Sequence, residues 1–94
     1  MILSYCDART ERFARGERVK PFEPFRDQAE NRLVRLEVAA GLTELGALRG
    51  NRLEKLGSDR KGQWSMRINA QWRICFRWPD GAPGPSDVEI VDYH

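Results

Sequence analysis

The sequence lacks the features that define several large protein classes. Its 94 residues include one histidine and two cysteines, Cys6 and Cys75, which are too few for the ligand set of a zinc site. No apolar run approaches the roughly 20 residues of a membrane span. Residues 1–10 show no basic segment before a long apolar one, so we expect no secretory signal. We therefore expect a cytoplasmic protein whose two thiols are reduced and buried.

The composition indicates a single folded domain over residues 1–94. Hydrophobic residues make up 40% of the chain and charged residues 32%, so the chain is too apolar for a disordered tail. A chain of 94 residues builds one modest core and leaves no room for a separate cofactor domain.

Charge is unevenly distributed, although the formal net charge is only +2. Residues 1–48 carry eight basic and eight acidic side chains. Residues 49–77 carry eight basic and two acidic ones, whereas residues 78–94 carry four acidic and no basic ones. A cationic block in a nearly neutral protein favours an anionic partner, most commonly nucleic acid. The same distribution fits a basic strand joined by ion pairs to the acidic final strand, and charge alone does not choose between the two.

The first half of the chain is predicted to form a short strand and two helices. Residues 2–6 are predicted as an opening strand, and Asp7 suits the N-cap of a helix over residues 8–15 that ends at Gly16. A second, amphipathic helix is predicted from Pro24 to about residue 40, because its apolar residues recur every three or four positions: Phe25, Ala29, Leu33, Leu36 and Ala40. We expect these helices to be a scaffold for a sheet.

The second half changes to a period of two. Residues 64–68 and 72–78 alternate apolar with polar side chains and predict a hairpin, residues 79–86 predict a loop, and residues 88–93 predict a last strand. Residues 53–56 are a further candidate strand. The order β-α-α-β-β-β predicts an α+β fold, with two N-terminal helices packed on one face of a small, mainly antiparallel twisted sheet. The other face would carry Arg67, Arg73 and Arg77.

Four stretches carry a pattern that is specific in order and spacing: residues 15–20 (RGERVK), 53–65 (LEKLGSDRKGQWS), 67–78 (RINAQWRICFRW) and 88–94 (VEIVDYH). Together they resemble the HigB toxins (host inhibition of growth) of bacterial type II toxin–antitoxin modules, in the RelE-like superfamily and the plasmid maintenance system killer family. The resemblance runs nearly end to end. It implies a microbial-ribonuclease-like sheet packed on two helices.

The resemblance also implies an activity and partners. It implies an endoribonuclease that cuts translated messenger RNA in the A site of the 70S ribosome, without metal or other cofactor, and thereby arrests growth. A helix-turn-helix antitoxin of HigA type would neutralise it, operator DNA would be reached only through that antitoxin, and no membrane is involved. The basic surface over residues 49–77 would contact ribosomal RNA phosphates, with RNA-binding candidates Lys55, Arg60, Lys61, Arg67 and Arg77.

Metal-free cleavage of RNA needs a base for the ribose 2′-OH, cations for the phosphorane and an acid for the leaving 5′-oxygen. An unperturbed histidine suits proton transfer near neutrality, and His94 resembles the catalytic terminus of the family; a terminal histidine without a role is the alternative. The family pattern also implies that Tyr93 and Asp92 belong to the site. The alternatives are core packing for Tyr93 and a plain ion pair for Asp92. Arg73 is the candidate to hold the scissile phosphate, because its guanidinium matches two phosphoryl oxygens; a cross-strand ion pair is the alternative.

One loop departs from the family. Relatives commonly read His-x-Leu-Lys-Gly before Asp-Arg, whereas residues 54–58 here are Glu-Lys-Leu-Gly-Ser. Glu54 therefore replaces the second active-site histidine and is the candidate base, with Lys55 as a replacement for the lost cation. Two other functions stay open: a weakened module that binds the ribosome or RNA without cleavage, and a co-repressor subunit that holds an antitoxin on operator DNA.

Overall fold

The structure is a computed structural model that describes residues 1–92. Within this range, the α-helices are α1 (Ala8–Ala14), α2 (Arg26–Val38) and α3 (Leu42–Gly46). The strands are β1 (Glu54–Lys55), β2 (Gln63–Arg67), β3 (Trp72–Arg77) and β4 (Ser86–Asp92). Short 3₁₀ turns connect them at Lys20–Phe25, Arg49–Asn51 and Ser58–Arg60. The predicted α+β class is confirmed.

The four strands form one antiparallel sheet in the order β1-β2-β3-β4. The predicted hairpin joins β2 to β3. Its turn is closed by the Asn69 side chain, whose Oδ1 accepts the backbone N–H groups of Gln71 and Trp72, each at 2.8 Å. An asparagine that bonds its own backbone two residues on is a common way to fix such a turn.

The helices begin and end close to where local chemistry places them. The Asp7 carboxylate accepts the Thr10 N–H at 2.9 Å and caps α1, and Gly16 follows the helix at a φ of +92°. The predicted second helix starts two residues late, at Arg26, because Lys20–Phe25 forms a 3₁₀ turn that contains Pro24. It ends at Val38 rather than near residue 40.

The core lies between the helices and one face of the sheet. Ala29, Leu33 and Leu36 of α2 pack in one cluster with side chains from β2, β3 and β4, among them Met66, Ile74, Phe76 and Ile90. The opposite face, called the outer face below, carries a smaller apolar cluster of Leu56, Cys75 and Val91. The sheet is therefore covered by helices on one side, as the alternation predicts.

Two sequence predictions about the amino-terminal segment are wrong. Residues 2–6 form no strand; only Tyr5 makes an isolated parallel bridge, to Val88 of β4. The capped helix α1 starts at Ala8, so the chain leaves the extended conformation before a ladder can form. For the same reason Cys6 is exposed, whereas Cys75 is buried in β3 as expected.

The longest helix, α2, has 13 residues. Across residues 1–92, no helix combines the length and the apolar character needed to cross a bilayer.

Candidate active site

The strand register aligns polar side chains in rows across the outer face. Glu54 lies opposite Ser65, Ser65 opposite Cys75, and Cys75 opposite Glu89, so these four residues cross the whole sheet. Directly opposed residues in an antiparallel pair project to the same side. The next row contains Arg67, Arg73 and Val91. The outer face thus combines cations, carboxylates and a small apolar floor.

Arg73 lies across the middle of this face. Its Nη1 donates to the Ser65 hydroxyl at 2.9 Å, and its Nη2 lies 3.4 Å from Oε1 of Glu54. The Arg73 side chain is only 16% exposed, whereas that of Glu54 is 53% exposed. Two strands therefore hold the guanidinium in one orientation, with a solvent-accessible carboxylate at its far end. Glu54 and Arg73, both predicted from the sequence, are brought together.

Arg60 crosses the same face from the other direction. It belongs to the basic loop, residues 58–62, and its Nη1 lies 3.3 Å from Oε1 of Glu89 and 3.1 Å from Oε1 of Gln63. Arg60 thus ties the loop that follows β1 to β4 at the opposite side of the sheet. Sequence analysis selected Arg60 but missed Glu89 and Ser65. The period-two alternation of β2 places Ser65 on the outer face, but nothing in the sequence pairs Glu89 with a residue 29 positions away.

The Cys75 thiol lies near both arginines. Burial raises its pKa, and Glu89 raises it further, while the charges of Arg60 and Arg73 act in the opposite direction. The net shift of the pKa is upward, so the thiol stays protonated. Cys75 therefore contributes to the apolar cluster of the outer face and not to catalysis.

Three other predicted RNA-binding residues lie at or near this face. Arg67 is directly opposite Arg73 in the ladder. Arg77 pairs with Asp87 of β4, Nε to Oδ2 at 3.5 Å, and its Nη1 lies 3.5 Å from the carbonyl oxygen of Lys61. Lys61 is exposed on the basic loop. The two ion pairs to β4, from Arg60 and from Arg77, confirm in part the alternative in which basic residues pair with the acidic final strand.

Lys55 and Asp92 lie on the other side of the sheet. Lys55 is opposite Trp64 and Asp92 is opposite Trp72, so both share the face on which the helices pack. The expectation that Lys55 shares a surface with Arg73 is wrong, because one residue along a strand reverses the side. Asp92 accepts a hydrogen bond from Nε2 of Gln71 at 3.0 Å. Tyr93 and His94 lie outside the described residues.

The described part of the chain, residues 1–92, contains no group of three His, Cys, Asp or Glu side chains placed to hold a metal ion. The chemistry that the outer face offers is that of guanidinium groups and carboxylates. Such a face suits a phosphodiester, which a guanidinium binds through two oxygens while a nearby carboxylate accepts a proton.

Comparison with known proteins identifies the family of this chain. The family model for the RelE-like toxin HigB of type II toxin–antitoxin systems matches residues 5–94. Toxin HigB-1 of Vibrio cholerae serotype O1 is 34% identical over 85 residues, which cover 86% of this chain and 87% of that toxin. Endoribonuclease HigB of Proteus vulgaris is 36% identical over 69 residues, covering 71% of this chain and 66% of that enzyme. The chain therefore belongs to the HigB family of RelE-like toxins from type II toxin–antitoxin systems.

Proposed function

We propose that this toxin is an endoribonuclease that cuts messenger RNA on the ribosome. It cleaves by attack of the ribose 2′-OH, without a metal, and an antitoxin of helix-turn-helix type neutralises it. The relative from Proteus vulgaris is named an endoribonuclease. The observation that carries the proposal for this chain is the Arg73 guanidinium, held over the outer face by Ser65 and Glu54.

Arg73 is proposed to bind the scissile phosphate. Its planar group matches two phosphoryl oxygens, and its fixed orientation requires little reorganisation as negative charge develops on the phosphorane. Arg67, opposite it in the ladder, adds a second positive charge on the same face. We assign Arg60, Lys61 and Arg77 to the flanking phosphates of the message.

Glu54 is proposed as the base that removes the 2′-OH proton. Its exposed carboxylate lies beside Arg73, so a phosphate bound by that guanidinium has its ribose within reach. His94 is proposed to protonate the leaving 5′-oxygen, and Tyr93 to stack on a base. Asp92 lies on the other side of the sheet from Arg73, which favours a positioning role at the end of β4 through Gln71.

The ribosome is proposed to supply the alignment that a small, open face lacks. Holding a message in register turns an encounter between two molecules into a step within one complex, which is a large part of many rate enhancements. The A site is the place where the message is presented codon by codon. Cleavage at a fixed position within codons follows from this proposal.

The test is to express the chain with and without its antitoxin and to map the 5′ ends of messenger RNA. Growth arrest with cuts phased to codons supports the nuclease. Arrest without cuts supports a module that only binds, the alternative that the replacement of the family histidine by Glu54 favours. Neither effect supports a co-repressor. Arg73→Gln should lower cleavage by about 10²–10³-fold. The matched control Arg15→Gln removes an exposed arginine of the Glu11 ion pair and should leave cleavage unchanged.

A further inference from the structure

Four arginines lie on two segments that hydrogen bonds join, the helix α2 and the 3₁₀ turn Arg49–Asn51. Arg32 and Arg35 are half-buried on α2, and Arg49 and Arg52 are exposed at the two ends of the 3₁₀ turn Arg49–Asn51. We call these four residues the arginine cluster. Sequence analysis assigned α2 to the scaffold of the sheet, and residues 1–48 carry no net charge.

Hydrogen bonds hold the two halves of the cluster together. Nη2 of Arg32 lies 3.5 Å from the carbonyl oxygen of Gly50, and Nη1 of Arg35 donates to Oδ1 of Asn51 at 2.6 Å. Asn51 is fully buried and anchors the turn by donating to the carbonyl oxygen of Leu45 at 3.0 Å. The guanidinium groups on α2 therefore contact the residues that lie between Arg49 and Arg52.

The cluster has no acidic counterpart within residues 1–92. Six other arginines form ion pairs with glutamate or aspartate: Arg15, Arg18, Arg26, Arg60, Arg73 and Arg77. None of the four in the cluster does so within the described chain. Desolvation and the charge of Arg35 lower the pKa of Arg32, which is the response of a cation that is partly buried beside another cation. Such an arrangement costs free energy until an anion joins it.

The cluster adjoins the end of β2, the strand that carries Arg67. Nε of Arg32 donates to the carbonyl oxygen of Arg67 at 2.9 Å, and the Arg67 side chain lies opposite Arg73 on the outer face. A hydrogen bond thus joins the cluster to the backbone of a residue whose side chain shares a face with the proposed phosphate ligand, Arg73. Guanidinium groups bind phosphate oxygens through paired N–H donors, and repeated phosphates match repeated arginines.

We infer that Arg32, Arg35, Arg49 and Arg52 form a second binding site for the phosphate backbone of RNA, separate from the phosphate held for cleavage. The inference rests on the proposed action on RNA. Message and ribosomal RNA offer the same phosphate chemistry, so either could supply the backbone. The site would hold the RNA without touching the reacting atoms.

The test uses the full chain and two probes, a 2′-O-methylated RNA of 12 nucleotides and vacant 70S ribosomes. The first probe lacks the nucleophile and is not cut. The test variant is Arg49→Gln/Arg52→Asn, which spares the half-buried arginines; asparagine suits position 52 because its φ is +44°. The control, Arg15→Gln/Arg18→Gln, removes two exposed arginines whose ion pairs lie elsewhere.

We expect the test variant to bind about tenfold more weakly at low salt. The slope of log K against log salt should fall by about 1.4 for the single-stranded probe, while the control keeps the slope of the unmodified protein. If the test variant loses affinity for both probes, the cluster is a general site for the RNA backbone. If it loses affinity for ribosomes alone, the site binds ribosomal RNA. If it loses affinity for the oligonucleotide alone, the site binds the message. Equal binding by test and control variants overturns the inference, even if purified antitoxin then binds the test variant less well.

Failure of this inference is distinguishable from failure of the proposed nuclease. Binding is measured without cleavage. If the protein does not cut RNA but the test variant binds RNA more weakly, the second site is supported and the nuclease is not. If the protein cuts messages but the test and control variants bind RNA equally well, the nuclease is supported and the second site is not. Thermal unfolding of both variants verifies that each is folded.

Discussion

The carboxylate of Glu89 lies 3.3 Å from the guanidinium of Arg60, although the two residues are 29 positions apart in the chain. This contact spans the outer face from the basic loop to β4 and passes over Cys75. A half-exposed pair of this kind contributes about 0.2–1 kcal/mol to global stability. Its larger effect is local, because it holds the loop that carries Arg60 and Lys61 against the sheet.

Glu89→Gln should therefore loosen the basic loop without unfolding the protein. We expect trypsin to cleave after Arg60 or Lys61 several-fold faster, with a stability loss below about 1 kcal/mol. Limited proteolysis followed by mass spectrometry measures the rate. Glu11→Gln, which breaks the exposed Arg15–Glu11 pair on α1, is the control. Identical cleavage rates in the loop for both variants would contradict the role given to Glu89.

The basic loop also depends on Gly62. Its φ is +89°, and a Cβ at this position would lie 2.8 Å from Nη1 of Arg77. Gly62→Ala should cost about 1–2 kcal/mol in unfolding free energy and displace the Arg77 side chain. Gly57→Ala is the matched control, since a Cβ there meets nothing within 4 Å and its φ is −123°. Denaturation in urea compares the two, and equal midpoints would refute the prediction.

Thr10 joins α1 to β4 through a buried hydrogen bond. Its Oγ1 accepts the N–H of Ile90 at 3.0 Å, and the threonine is fully buried. Thr10→Val keeps the shape but leaves that N–H unsatisfied, which costs about 1–3 kcal/mol. The exposed Thr43 gives the control variant Thr43→Val. Chemical denaturation should show the loss for position 10 alone, and a native-like stability of Thr10→Val would mean that another acceptor replaces the hydroxyl.

The two cysteines should differ in reactivity. Cys6 is exposed, but its pKa is raised by desolvation and then by Glu89 and other carboxylates. Because the thiolate is the nucleophile, Cys6 should react with iodoacetamide more slowly at pH 7 than a free cysteine, and faster as the pH rises. Cys75 is buried, with a raised pKa, and should react only after unfolding. Peptide mapping distinguishes them; rapid native labelling of Cys75 would be inconsistent with its burial.

Sequence patterns predicted the elements that have strong periodicity. The alternation in residues 64–68 and 72–78 placed Arg67, Arg73 and Arg77 on one side of the hairpin, because side chains on a strand alternate strictly. The side taken by Lys55 was not predictable, since β1 has only two residues and its register is set by pairing with β2. The Arg60–Glu89 contact and the arginine cluster are tertiary: they join segments that no local pattern relates.

The outer edge of β4 is occupied along much of its length. Leu3 and Cys6 donate backbone hydrogen bonds to Pro85 and Val88, the Val88 N–H donates to Ser4, and Thr10 takes the Ile90 N–H. The opposite edge of the sheet, β1, offers only two residues. Exposed edge strands are where separate copies of a protein join into fibrils. With one border covered and the other so short, this protein presents little template for amyloid growth.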